Sequence, residues 1–248
     1  ITIDPTTNVI SASGFDLNSM AYFNYAGSIY GAKYNLLASA WEHSLTVDPL
    51  EISESSSTSN PRGKAQYPNG ENEGVIIPQG VKSIGRDAFR DWTSNNQPLV
   101  IPNSVTSIGP YAFYNWGTNN HPLVIPNSVT SIGTWAFNGW KNNNQPLVIP
   151  NSVTSIGTGA FINWQSNNHP LVIPSSVVSI AVGAFRDWEK VPYIIMKSET
   201  PPTLGNSSAF SGQNNAPIYV PDESVDDYKT ATNWVDLADR IFPISSKE

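Results

Sequence analysis

The sequence predicts a β-rich solenoid, a stack of short coils with a distinct segment at each end. Three observations carry that prediction. Leu-Val-Ile-Pro begins at Leu99, Leu123, Leu147 and Leu171, always 24 residues apart, with a looser copy at Val75-Ile76-Ile77-Pro78. Phenylalanine keeps the same register at Phe89, Phe113, Phe137, Phe161 and Phe185, and tryptophan at Trp92, Trp116, Trp140, Trp164 and Trp188. Asparagine pairs recur at Asn95-Asn96, Asn119-Asn120, Asn143-Asn144 and Asn167-Asn168. One such unit cannot bury its own apolar face, whereas stacked neighbours share a continuous core.

Residues 1–74 do not repeat cleanly and are expected to form an N-terminal cap region. They are rich in aromatics up to Trp41, and Leu37, Ala40, Trp41 and Leu45 predict one amphipathic helix over Ala32–Leu45. Ile1–Pro5 with Val9-Ile10 reads as a decayed repeat. Residues 48–74 are Ser, Asn, Gly, Pro and acid rich, which predicts a flexible polar loop.

Residues 75–190 hold five repeats. In Leu-Val-Ile, a short strand sends Leu and Ile to the core and Val outward; Pro then ends the ladder. Val-Thr-Ser-Ile-Gly, as in Val105–Gly109, predicts a second extended piece. Ala-Phe-x-x-Trp, as in Ala112–Trp116, predicts a helical or 3₁₀ turn placing both rings inside. Gly85, Gly109, Gly133 and Gly157 share a column with Ala181, so that position is expected to have negative φ and to accept alanine. Residues 191–248 read as a degenerate repeat, Val191–Pro217, followed by a C-terminal cap with a short helix over Asp222–Thr230.

This pattern resembles the BspA-like leucine-rich repeats of bacterial (Bacteroides-type) cell-surface proteins, over Ile77 to Trp188 and again in Ile218–Lys229 and Trp234–Ile241. Trp stands here at the family's cysteine position, and Asn-Asn-x-Pro replaces the usual leucine before the strand. The resemblance implies a right-handed leucine-rich-repeat solenoid. It further implies a secreted or cell-surface adhesion module that binds a protein or glycan of a host or neighbouring cell. The alternative is a structural subunit of a surface appendage or layer, a monomer in one case and self-assembling in the other.

Composition narrows the chemistry. The 248 residues carry 13 basic and 20 acidic side chains, a formal net charge of −7. That is too little scattered positive charge to hold nucleic acid or anionic lipid. No apolar run is long enough for a membrane-spanning helix. Absence of cysteine removes disulfides and thiolate chemistry. The chain begins at Ile1 instead of Met, so loss of a leader by processing is one expectation, and the family resemblance implies an extracellular or cell-surface location. His43, His121 and His169 form no catalytic or metal motif, and Asp222, Glu223, Asp226 and Asp227 lack the spacing of a calcium loop. The expectation is therefore no enzyme, no metal and no cofactor.

Binding residues are expected where the repeat varies. The two positions before Ala-Phe read Arg86-Asp87, Pro110-Tyr111, Thr134-Trp135, Thr158-Gly159 and Val182-Gly183. Register makes Tyr111 and Trp135 stacked neighbours with Tyr114 close by, candidates to hold sugar rings or protein side chains. The outward Val100, Val124, Val148 and Val172 form a second candidate, an apolar stripe. The tryptophan column and asparagine pairs are expected to be structural. A threonine ladder at Thr106, Thr130 and Thr154 is broken by Lys82 and Val178.

Overall fold

The computed structural model describes residues 2–3, 10–11, 20–25, 28–35, 40–43, 50–52, 75–77, 81–91 and 98–247, with side chains from 77 onward. Two parallel ladders run through the repeats. The first joins Val75–Ile76 to Leu99–Val100, passes through single bridges between Val100, Val124, Val148 and Val172, and continues as Leu171–Ile173, Ile194–Met196, Ile218–Val220 and Ile241–Pro243. The second orders Leu50–Ile52, Val81–Ile84, Ser107–Ile108, Ser131–Ile132, Ser155–Ile156, Ser179–Ile180 and Thr203–Leu204. Its register is strict, Ser107 opposite Ser131 and Ile108 opposite Ile132.

The core lies between these ladders and a third side made of turns. Leu123 and Ile125 from the first ladder, Val129 and Ile132 from the second, and Ala136, Phe137 and Trp140 from the turn are all buried. The phenylalanines form one parallel stack from Phe89 to Phe210, neighbouring centroids 5.2 to 5.8 Å apart. A second stack joins Trp116, Trp140, Trp164 and Trp188. Each indole meets its own repeat's phenylalanine edge-on, the arrangement that aromatic quadrupoles favour.

Polar side chains inside are satisfied between repeats, with Asn138 Nδ2 the exception among the described residues. Trp140 Nε1 donates to the Phe113 carbonyl at 2.9 Å and Trp164 Nε1 to that of Phe137 at 2.8 Å. Tryptophan in this column is thus both a space filler and a hydrogen-bond donor. In the degenerate repeat the buried Gln213 takes over this donation, its Nε2 lying 2.9 Å from the Phe185 carbonyl. Asn119, Asn143 and Asn167 are buried: Asn143 Nδ2 donates to the His121 carbonyl while its Oδ1 accepts from the Gln145 amide. Such pairing avoids the roughly 1–3 kcal/mol cost of an unmet buried group.

Several expectations are corrected. No helix spans Ala32–Leu45: Ser28–Asn35 and Ala40–His43 are strands, paired Ala32 with His43 through Asn35 with Ala40. They belong to a five-stranded antiparallel sheet with Met20–Tyr25, Ile10–Ser11 and Thr2–Ile3. The period-two alternation Tyr30, Ala32, Tyr34 and the aromatic content favour strand over the weaker helical spacing. Thr2–Ile3 pairs antiparallel with Ile10–Ser11, unlike the parallel pairs of the repeats, so Ile1–Ile10 is not a decayed repeat. Within the expected loop 48–74, Leu50–Ile52 is a strand beside Val81–Ile84, and 53–74 lie outside the described residues.

The glycine column divides into a correct and an incorrect inference. Gly85, Gly109, Gly133 and Gly157 are absent from the residues with positive φ, as expected. Their small size has another cause, which is the close approach of adjacent repeats. A Cβ on Gly133 would lie 2.6 Å from the Gly109 carbonyl carbon and 2.7 Å from the Ile108 oxygen, all backbone. Ala181 sits in that column with the longest of the inter-repeat bonds, 3.0 Å to the Ile156 oxygen against 2.7 to 2.9 Å for Gly109, Gly133 and Gly157.

Beyond the repeats, Val225–Thr230 forms the expected short helix after a 3₁₀ turn at Asp222–Ser224. Trp234 Nε1 donates to the Pro202 carbonyl, and Tyr228 packs edge-on against Trp234. Arg240 donates to the carbonyls of Phe210 and Ala216 and to Gln213 Oε1, which ties this segment to the degenerate repeat.

Candidate binding surface

The turn side of each repeat is built from two tight turns, and this decides where side chains emerge. The Ala112 amide bonds back to the Gly109 carbonyl and the Tyr114 amide to that of Tyr111, so no helix forms at this side of the repeat. A regular 3₁₀ element takes the equivalent place at Ser207–Phe210. The third residue of the first turn has positive φ in every repeat: Asp87 at 56°, Tyr111 at 57°, Trp135 at 59°, Gly159 at 59° and Gly183 at 64°. This is the type II pattern, with Pro110 at the preceding position that fixes φ near −65°. A second left-handed position, just before tryptophan, holds Asp91, Asn115, Gly139, Asn163 and Asp187. All five are residue types that tolerate such a backbone. Tyr111 and Trp135 are the exceptions, bulky aromatics kept in a conformation that costs each about 1–2 kcal/mol.

Those two rings meet. Tyr111 and Trp135 stack with centroids 6.2 Å apart and planes within 5°, and Tyr114 leans on Tyr111 at 5.7 Å. The guanidinium of Arg90 lies 5.1 Å from the Tyr111 centroid and 4.9 Å from that of Tyr114, with Arg86 5.8 Å from Tyr111. Arg90 is paired with Asp87 at 3.1 Å and Asp91 at 3.2 Å. Partial burial disfavours the guanidinium's charge, and the several contributions of the Asp87 and Asp91 carboxylates together outweigh it, so the Arg90 pKa is raised. All three rings are half-buried, not closed over. The platform thus offers stacked π faces with its own cation already compensated.

The opposite candidate is also present and longer than the four valines. Val100, Val124 and Val148 are 54, 63 and 67% exposed, enough to rule out a core role. Register continues the row from Val172 to Ile195, Tyr219 and Phe242. The last three escaped sequence reading because the degenerate repeats change their spacing. A groove of about 540 Å³ runs beside Val148 and Val172, edged by Pro146, Pro170, His169 and Lys197. The structure therefore keeps Tyr111, Trp135 and Tyr114 together and sets Val100, Val124 and Val148 on a separate face.

Among the described residues nothing else gathers reactive groups. His121 and His169 occupy turn positions where their amides donate to Asn119 and Asn167. Among the described residues no three His, Asp or Glu side chains converge as a metal site, and no helix is long and apolar enough to cross a membrane.

Comparison with known proteins addresses the family. No curated protein matches the chain. A solved structure, a leucine-rich repeat protein from Bacteroides ovatus, is similar at 19% identity and a TM-score of 0.44 over 86% of this chain. The match spans 56% of that protein's length. The family described as BspA type leucine rich repeat region, in six copies, matches residues 63–191 and 106–231. With more than half of its length covered by those matches, the chain belongs to the BspA-type leucine-rich-repeat family.

Proposed function

We propose that the chain is a non-enzymatic binding or adhesion module, secreted or held at a cell surface, that recognises a protein or glycan of a host or neighbouring cell. In this reading the repeats of 75–190 form one right-handed solenoid, with 1–74 as the N-terminal cap region and 191–248 as degenerate repeat and C-terminal cap. The observation that carries it is the pair Tyr111–Trp135, two aromatics stacked on left-handed backbone. Strain of that kind persists where the surroundings enforce it and concentrates at ligand clamps. Aromatics also dominate the energetics of recognition. A second reading, assembly into an appendage or layer, draws support from the outward row that runs from Val100 to Phe242.

The test is an array of glycans and extracellular proteins probed with the intact chain. The double change Tyr111→Ala with Trp135→Ala should abolish the hits while leaving the fold intact. Retained hits in that variant, with loss on Val124→Lys and Val148→Lys, would move recognition to the strand face. Sedimentation of the intact chain as a large polymer would favour assembly.

A further inference from the structure

Asn138 is buried, and its Nδ2 has no hydrogen-bond partner. It stands in the column Arg90, Tyr114, Asn138, Ile162 and Arg186, directly after the stacked phenylalanines. The next column is the second left-handed position, with Asp91, Asn115, Gly139, Asn163 and Asp187. Among these five repeats, this one alone sets an asparagine before a glycine. The sequence has the same dipeptide at Asn69-Gly70, which lies outside the described residues. In such a pair the main-chain nitrogen meets little obstruction on its way to the side-chain carbonyl carbon, because glycine has no Cβ.

We infer that Asn138-Gly139 is a site of spontaneous covalent modification, deamidation through a succinimide, and that a hydrogen bond between repeats is its lock. The Gly139 nitrogen attacks Cγ of Asn138. A C–N bond forms, the Cγ–Nδ2 bond breaks, and the proton from the attacking nitrogen leaves with the amide as ammonia. Water then opens the ring at either carbonyl and yields aspartate or isoaspartate. Nδ2 has no hydrogen bond to lose on departure. The attacking nitrogen, by contrast, is held, since Gly139 donates to the Ile162 carbonyl at 2.9 Å. Ring closure therefore waits until these two repeats part locally. Such an opening has its own free energy, and each 1.4 kcal/mol of it slows the reaction tenfold.

The products do not fit where the amide lay. Either one places a carboxylate in a buried position, which is unfavourable without a partner. Isoaspartate also lengthens the main chain by a carbon between Asn138 Cα and the Gly139 nitrogen. The Asn138 amide closes the turn on the Trp135 carbonyl at 3.3 Å, so the change falls in the turn that carries Trp135. The modification stands on this chemistry alone, whatever the exposed rings bind.

The intact chain would be incubated in neutral and mildly alkaline buffer, folded and in concentrated urea. Peptide mapping by mass spectrometry separates Asn138 from Asn69 and isoaspartate from aspartate. Conversion at Asn138 should be at least about tenfold slower in the folded chain than in urea. It should quicken with pH in both, because the attacking nitrogen must give up its proton. Ile162→Ala thins the packing around the residue that supplies the acceptor. At a temperature where circular dichroism shows the variant folded, it should narrow that ratio at least about threefold and leave the rate in urea unchanged. Gly139→Asn places there the residue that Asn115 and Asn163 already hold on left-handed backbone, and should cut the rate in urea itself at least about tenfold. No conversion at Asn138 in urea would sink the site. Equal rates in the folded chain and in urea, or a ratio untouched by Ile162→Ala, would remove the lock.

Discussion

Replacing Trp135 by glycine removes one of the largest side chains in the chain, yet the structure predicts a small loss of stability. Full burial of a large apolar side chain contributes roughly 1.5–3 kcal/mol, so the half-buried indole contributes about 1. Its stack on Tyr111 adds about 1 more. Glycine also gains freedom in the unfolded chain, worth about 0.5–1 kcal/mol against the fold. Against these losses stands relief of the left-handed backbone, about 1–2 kcal/mol. Gly159 and Gly183 already fill the equivalent turn at φ of 59° and 64°. The net cost is about 1 kcal/mol. Trp140→Ala, five residues away in the core, should cost about 3–5 kcal/mol. Denaturant titrations of the two variants in parallel give the comparison, with circular dichroism as the probe. If Trp135→Gly costs as much as Trp140→Ala, the ring is a core element and the strain argument fails.

Phe137→Ala should cost about 3–5 kcal/mol, because it cuts a stack that is fully buried on both sides; a loss below about 1 kcal/mol would contradict the packing. Gly133→Ala should cost about 1–3 kcal/mol through backbone collision with Gly109, read as a lowered melting temperature, whereas an unchanged melt would show that the repeats can part freely. Trp140→Phe leaves the Phe113 carbonyl without its donor, at about 1–3 kcal/mol, so it should be more damaging than its volume change alone. Tyr228 is buried with its hydroxyl donating to the Ser198 carbonyl, and burial pushes its pKa well above the ordinary 10.0. A raised value in the fold means the stabilisation is complete below pH 10 and is lost as pH rises beyond it. Melting temperature should therefore fall on the alkaline side, and Tyr228→Phe should flatten that fall.

The repeats were legible because each fixed residue answers to one physical demand. Leu123, Ile125, Val129, Ile132, Phe137 and Trp140 are buried where the period placed them, and the buried Asn119, Asn143 and Asn167 have the structural role expected of the asparagine pairs. The glycine column was misread because φ was weighed and interatomic room was not; sequence reports the first through Ala181 but is silent on the second. The left-handed backbone at Tyr111 and Trp135 was hidden for the opposite reason. Aromatic side chains gave no hint of it, although Gly159 and Gly183 in the same column could have. Residues 20–43 failed because helical spacing and strand alternation coexist there, and only pairing partners decide between them.

The hydrogen bonds between repeats all have a direction. Trp140, Asn143, Ser152 and Thr154 each donate a side-chain hydrogen to a carbonyl of the preceding repeat, never to the following one. Backbone amides of the turn run the other way, Phe113 to Ala136 and Phe137 to Ala160. The stack is accordingly a polar lattice in one dimension, with unlike ends and a unit cell of 24 residues. A change of length by whole cells keeps the repeated core and backbone contacts, while a contact peculiar to one cell, such as the stack of Trp135 on Tyr111, leaves with that cell. A change by one residue would put both strand ladders and both aromatic stacks out of phase together. Deleting 123–146 is the move this lattice permits, and deleting one residue fewer is the move it forbids.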